Sequence, residues 1–218
     1  MNPDSKNVFV RAFDVLRDEG LVSLWFRILG RTVYRRAIFI ELPLSEQVPT
    51  ATTSLAVTVG MLTELEVNEY INLLPDADPA KIRARLAAGQ RCFVIRLEGK
   101  IVHVGWATTG RVRIEYFARE ITLAPDEVFV FGSYTAHEYR GKNLAGVRIA
   151  AMASFFREAG YKRMIGIVVP ENKIGLSSPQ KMGYRPVGLM SQLRLGPWRY
   201  NFGFERWDDE GRAHHLTN

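Results

Sequence analysis

Residues 127–146 read EVFVFGSYTAHEYRGKNLAG, and the chain continues VRIAAMASFFREAG. The first ten residues form an apolar, aromatic run that predicts a strand. The alanine-rich stretch predicts a helix over 143–159. Between them, HEYRGKNLAG contains two glycines and the cations Arg140 and Lys142. Backbone N–H groups at a helix start have no intrahelical partner, and the helix dipole adds positive potential there. A loop that aims those groups at one point binds an anion. Gly141 removes a side chain, so a phosphate can approach the backbone. Asn143 tolerates the left-handed region better than most residues. Arg140 and Lys142 add charge, and Ala145 keeps the first helical turn thin. The pattern fits a pyrophosphate. A plain solvated turn is the competing reading, because short glycine motifs recur by chance.

Working outward, RMIGIVVP predicts a strand, and ENKIGLSSPQKMG a short helix ended by Gly183. Pro179 suits a first turn and breaks an interior, which makes Ser177 or Ser178 the expected cap. YRPVGLMSQLRL and WRYNFGFERW predict closing strands, and the polar tail DDEGRAHHLTN is expected to fray. Upstream, LAVTVGML suits a strand, and LTELEVNEYINLL and PAKIRARLAAG suit helices. RCFVIRLEGKIVHVGWATTG predicts two strands around a Glu98–Gly99–Lys100 turn. Val112, Ile114 and Tyr116 alternate with Arg111, Arg113 and Glu115, which predicts a single strand over 111–123. A strand–helix–strand step among mostly antiparallel strands implies an α+β fold, a mixed sheet flanked by helices.

Residues 7–38 read as an amphipathic helix. Leu21, Leu24, Trp25, Ile28, Leu29 and Thr32 share one face, and Arg27, Arg31 and Arg35 line another. Two readings are open. The helix packs on the main domain or on a second copy of the chain, or it docks on a membrane surface or an acidic carrier protein. A linker, ELPLSEQVPTATTS, follows. The expected organisation is an N-terminal helical extension over 1–50, a main domain over 51–206 and a tail over 207–218.

The chain has 218 residues, 47% hydrophobic and 24% charged, as a globular domain has. Its single cysteine, Cys92, sits in the apolar run CFVIRL, which reads as a buried small hydrophobe and excludes an internal disulfide. No secretory signal or membrane span is visible, so a cytoplasmic setting is expected. The formal charge of +6 attracts anions. The basic residues are scattered, so nucleic-acid binding is not expected. No ligand set for a metal is visible.

HEYRGKNLAG resembles the acyl-CoA pyrophosphate loop of the GNAT superfamily of N-acetyltransferases. That pattern is Arg or Gln, two residues, Gly, one residue, then Gly or Ala. Arg140, Leu144 and Ala145 match it, and Gly141 and Lys142 fit the usual filling. Asn143 departs from it, standing where glycine is commonest. ENKIGLSSPQKMGYRPVG resembles the family's next stretch: Asn172 fits its helix-opening asparagine, and Lys181 to Tyr184 fit its end. The tyrosine that protonates the leaving thiolate in many relatives is replaced here by Pro179. The resemblance covers roughly residues 54–206. It implies acetyl-CoA, or another acyl-CoA, as co-substrate, and direct attack by an acceptor amine on the thioester. It also implies a splay between the strands at 127–135 and 163–169, with pantetheine bonding backbone near Ser133, Tyr134 and Thr135.

For the base, Glu115, Glu120 and Glu127 lie on or beside the relevant strands, with Glu115 the candidate retained and Glu127 expected at a solvated turn. Tyr134 is the candidate acid. His103 reads as a hydrogen-bonded core residue, and Trp106 and Tyr116 as core or pocket wall. The acceptor is expected to be an amine of a small molecule or sugar. Two rival functions are a non-catalytic acyl-CoA-binding module and a long-chain acyltransferase docked on a membrane or carrier protein.

Overall fold

The structure, a computed structural model, describes residues 33–44, 50–195, 198–207 and 213–215. Residues 7–32 of the expected N-terminal helix lie outside them. Strands β1 (Tyr34–Pro43), β2 (Val57–Met61), β3 (Arg91–Leu97), β4 (Lys100–Thr108), β7 (Glu127–Thr135), β8 (Arg163–Val168), β9 (Arg185–Leu195), β10 (Trp198–Trp207) and β11 (Ala213–His215) form one sheet. Its order is β11-β10-β9-β1-β8-β7-β4-β3-β2. Strands β5 (Arg111–Ile114) and β6 (Arg119–Thr122) pair separately as a hairpin. Helices α1 (Val67–Leu73) and α2 (Pro79–Ala87) precede β3, α3 (Leu144–Glu158) joins β7 to β8, and α4 (Lys173–Lys181) follows β8. Every pairing in the large sheet is antiparallel except that of β7 with β8.

Two apolar layers cover the sheet. Met152, Ala153 and Phe156 of α3 meet Ile40, Leu42 and Met164 on one face. On the other, the hairpin residues Val112, Ile114, Phe117 and Ile121 meet Phe39, Phe129 and Ile165. Next to the hairpin, Val67, Tyr70 and Ile82 of α1 and α2 pack on Cys92, Val94 and Trp106. The Cys92 thiol is free and buried, and burial pushes it up to about 12, so it is inert at neutral pH.

The structure corrects four expectations. Residues 34–38 do not end a helix, and 41–43 do not begin a linker: 34–43 form β1, a strand inside the sheet between β8 and β9. The proposed boundary near residue 50 therefore divides the sheet from one of its own strands. Ala37 and Phe39 enter one apolar layer and Ile40 and Leu42 the other, so the run is apolar on both faces, as an interior strand requires. Arg35, which seemed to continue a basic helical stripe, instead donates to the Tyr116 carbonyl.

The span 111–123 is two strands around a short 3-10 turn at Glu115–Phe117, with Ala118 left-handed at φ 49°. Val112 and Ile114 are buried at even positions, Phe117, Ile121 and Leu123 at odd ones. One unbroken strand cannot bury both sets on a single face. The helix expected to start at Ser177 or Ser178 starts at Lys173, capped by Asn172, whose Oδ1 accepts from the Gly175 N–H at 2.9 Å. Pro179 is tolerated in its last turns, where Gly183 (φ 84°) ends the helix and the amides of Met182, Gly183 and Tyr184 bond back to Ser178, Gln180 and Pro179. Residues 213–215 of the tail pair with β10 rather than fray.

Because β1 fills the sheet interior, a chain starting at residue 51 should lose cooperative urea unfolding. The single change Phe39→Ala, at a side chain 1% exposed, should cost about 3–5 kcal/mol in the full chain. A cooperative, native-like circular dichroism melt of the truncated chain would contradict this placement.

Candidate functional site

Strands β7 and β8 pair in parallel only from Glu127↔Arg163 to Val130↔Gly166. Beyond that point each is held by its other neighbour. β7 stays paired with β4 as far as His103↔Thr135, and β8 with β1 as far as Ile38↔Val168. The two strands therefore part, and the inner edge of β7 from Phe131 to Thr135 faces an opening. A bulge sharpens the divergence: Val104 pairs with Tyr134 but Trp106 with Phe131. Gly132 lies in this bulge at φ 61°, where a Cβ would stand 3.1 Å from the Trp106 ring. Only glycine suits both constraints. On the β8 side, Glu171 is buried and accepts from Arg36 Nε at 2.7 Å, which ties β1 to the segment leading into α4.

β7 leads through a 3-10 turn at His137–Tyr139 into Gly141, left-handed at φ 77°, and Asn143, left-handed at φ 59°. Asn143 thus adopts the conformation that glycine supplies more easily. Its Nδ2 donates to the Thr52 carbonyl at 3.0 Å, and its Oδ1 lies where a Cβ on Gly146 would come within 2.5 Å. Gly146 is therefore the space that lets Asn143 fold over the helix start. The first α3 amides have no intrahelical partner, and Arg140 and Lys142 just before them are exposed. Arg140 Nε lies 3.4 Å from the Thr135 carbonyl, and its guanidinium 6.0 Å from the Tyr134 ring. No side chain fills the Gly141 position, so loop and edge form one track that fits a phosphate followed by an extended chain.

Beneath α3 lies a polar cluster in which His103 is the hydrogen-bonded core residue expected, while its partner Arg148 was missed by sequence reasoning. Arg148 and His103 are both buried. Arg148 Nε donates to His103 Nε2 at 2.9 Å, Nη2 to Ser133 Oγ at 3.4 Å, and Nη1 meets Met152 Sδ at 2.6 Å. His103 Nδ1 lies 2.7 Å from Thr135 Oγ1. Gly105 makes room, since a Cβ there would stand 2.5 Å from Arg148 Cζ. Burial, helped by the Arg148 charge, holds the His103 imidazole down to about 2, so it is neutral at any working pH.

The expected site residues separate into two groups. Ser133, Tyr134, Thr135 and Arg140 to Ala145 are brought together along the edge and loop. Tyr134 packs half-buried against the cluster of Trp106 and Val104, on the face opposite His103. Asn172 is used as a helix cap, as above. Glu115 stands in the hairpin turn, 78% exposed and 3.7 Å from Arg113, while Glu120 pairs with Arg111 on the same hairpin. Glu127 is not at a solvated turn but buried at the start of β7, 3.4 Å from Arg163. It lies at the closed end of the strand pair, eight residues from Thr135, because its carboxylate also accepts from the Ala124 amide and ends that turn. No cluster of three or more His, Cys, Asp or Glu among the described residues could hold a metal, and no described helix is long and apolar enough to cross a membrane.

With that geometry in place, the comparisons agree. The profile of the Acetyltransferase (GNAT) family matches residues 60–184, more than half the chain. The chain belongs to the GNAT family of acyltransferases. An acetyltransferase of that family from Colwellia psychrerythraea has a TM-score of 0.56 at 10% identity, over 73% of this chain and 56% of that one. A protein from Novosphingobium aromaticivorans, described as an acetyltransferase of the GNAT family, gives 0.50 at 20% identity over 74% and 65%. An aminoglycoside acetyltransferase from an uncultured soil sample, crystallised with sisomicin, gives 0.47 at 14% over 58% and 87%, too loose to bear on the acceptor. A comparison with curated proteins finds no match. The first two structures share the fold with this chain.

The buried imidazole makes stability pH-dependent in a defined direction. The unfolded chain protonates His103 near its ordinary 6.5, and the folded chain only near 2. Stability from neutral His103 is therefore complete above 6.5 and lost as pH falls toward 2. Urea midpoints at pH 7 and pH 5 should separate more in the wild type than in His103→Gln. Equal separations would show that His103 takes up no extra proton on unfolding.

Proposed function

We propose that the chain transfers an acyl group, in the first instance acetyl, from acyl-CoA to an amine acceptor. One observation carries the reading: the unpaired edge of β7 runs directly into an anion-competent helix start. In this reading the amides and cations of Arg140 to Ala145 hold the pyrophosphate. The backbone of Ser133 to Thr135 bonds the pantetheine amides as a strand would bond a neighbour. Acyl-CoA supplies the activated thioester. The reactive carbonyl then lies near the point where β7 and β8 part, where a backbone N–H polarises its oxygen. A neutral acceptor amine enters between the strands, and positioning supplies much of the rate.

For the acid and base the reading keeps Tyr134 and Glu115. Tyr134 remains the candidate acid because it sits on the β7 edge, and Pro179 leaves α4 without a hydroxyl at the family's usual position. A thiolate leaves readily near neutral pH, so the acid contributes less than the alignment. Glu115 is exposed and paired with Arg113, so in this reading it takes the proton through water rather than directly.

The test is calorimetric titration of the chain with acetyl-CoA, CoA and a longer acyl-CoA. Binding is expected, and Arg140→Ala should weaken it by about 1–3 kcal/mol, the scale of a hydrogen bond to a charged group. Full affinity in Arg140→Ala would remove the loop from the site. Tyr134→Phe should lower turnover with CoA affinity unchanged, and turnover equal to wild type would remove Tyr134 as the acid.

A further inference from the structure

The cluster under α3 assigns a role to a residue on which neither the family motif nor the loop depends. Arg148 is 5% exposed, and no carboxylate among the described residues pairs with it. A buried cation without a counter-ion is costly and persists where it does something. Nearby, the Tyr184 hydroxyl is buried and has no hydrogen-bond partner among the described residues. Its phenol feels the Arg148 charge.

Hydrogen-bond accounting fixes the tautomer of His103. Arginine only donates. Since Arg148 Nε–H points at His103 Nε2, that nitrogen must be bare. The neutral imidazole then carries its proton on Nδ1 and donates it to Thr135 Oγ1. Ser133 Oγ likewise accepts, from Arg148 Nη2. Both hydroxyls are thus engaged as acceptors from below, and neither has an acceptor for its own proton among the described residues. Both stand on the open stretch of β7, with Ser133 exposed.

We propose that Arg148 is the positioning residue of the donor site: directly at Ser133, and through His103 at Thr135, it turns two hydroxyls into donors aimed at an oxygen-rich, anionic ligand lying along β7. The inference rests on the acyl-CoA reading and deepens it, adding two side-chain donors and a buried positive charge to the backbone contacts. It also explains Gly105, whose missing side chain is the guanidinium's space.

The test has two arms. In the first, CoA affinity is measured for wild type, Arg148→Met, Arg148→Lys, Ser133→Ala/Thr135→Val and the triple variant, each checked for folding by circular dichroism. Arg148→Met should weaken CoA about tenfold, a hydrogen-bond-sized effect, with Arg148→Lys in between. In the Ser133→Ala/Thr135→Val background the same change should have much less effect. Wild-type affinity in Arg148→Met, or an equal loss in both backgrounds, would overturn the proposal. Absence of CoA binding by the wild type would instead overturn the donor reading beneath it. The second arm needs no variant of Arg148. Long-range proton–nitrogen NMR of wild-type His103 should show the proton on Nδ1, and a proton on Nε2 would overturn the assignment even if Arg148→Met failed to fold.

Discussion

The site depends on one constraint: β7 and β8 pair for four residues and then each follows a different neighbour. A parallel pair inside a sheet normally continues until a strand ends. Here the bulge at Gly132 turns β7 with β4, while β1 keeps β8 in the remainder of the sheet. The opening is therefore held from both sides by antiparallel pairing. It is a fixed feature of the backbone, and it leaves peptide groups at its edge that must find partners. In the proposed reading, an extended ligand with alternating amides supplies them, and the helix start at the end of the edge receives its phosphates.

That geometry also explains the uneven legibility of the sequence. The loop was readable because its determinants are local. Gly141 and Asn143 each serve a backbone requirement within a few residues, and both adopt the left-handed conformation. β1 was not readable as part of the domain. Arginines at intervals of four in RTVYRR imitate a helical stripe, and nothing nearby reveals that AIFIEL inserts between strands more than 120 residues downstream. The hairpin at 111–122 was misread because a change of parity, Ile114 to Phe117, carries its turn without a glycine or proline to mark it.

The Arg148 cluster was invisible for a different reason. Its members come from β4, β7 and α3, and they meet only because the bulge shifts the β4–β7 register. His103 in IVHVGW reads as a hydrogen-bonded core residue, but the sequence names no partner for it, and Arg148 in an otherwise apolar helix carries no local signal. Their meaning lies in the pairing of one with the other. The same bulge thus opens the sheet on its β8 side and sets Ser133 and Thr135 over a buried cation on its α3 side. On the β8 side the opening carries the buried Glu171 paired with Arg36, and the helix beyond it is capped by Asn172.

The central claim is that a CoA-type donor lies along β7 and ends on the α3 start. Backbone amide NMR during titration with CoA tests it most directly. The largest shifts should fall on residues 131–135 and 141–146, with the closed end of the pair, residues 127–130, little changed. Binding that shifted other regions and left both stretches unmoved would contradict the account.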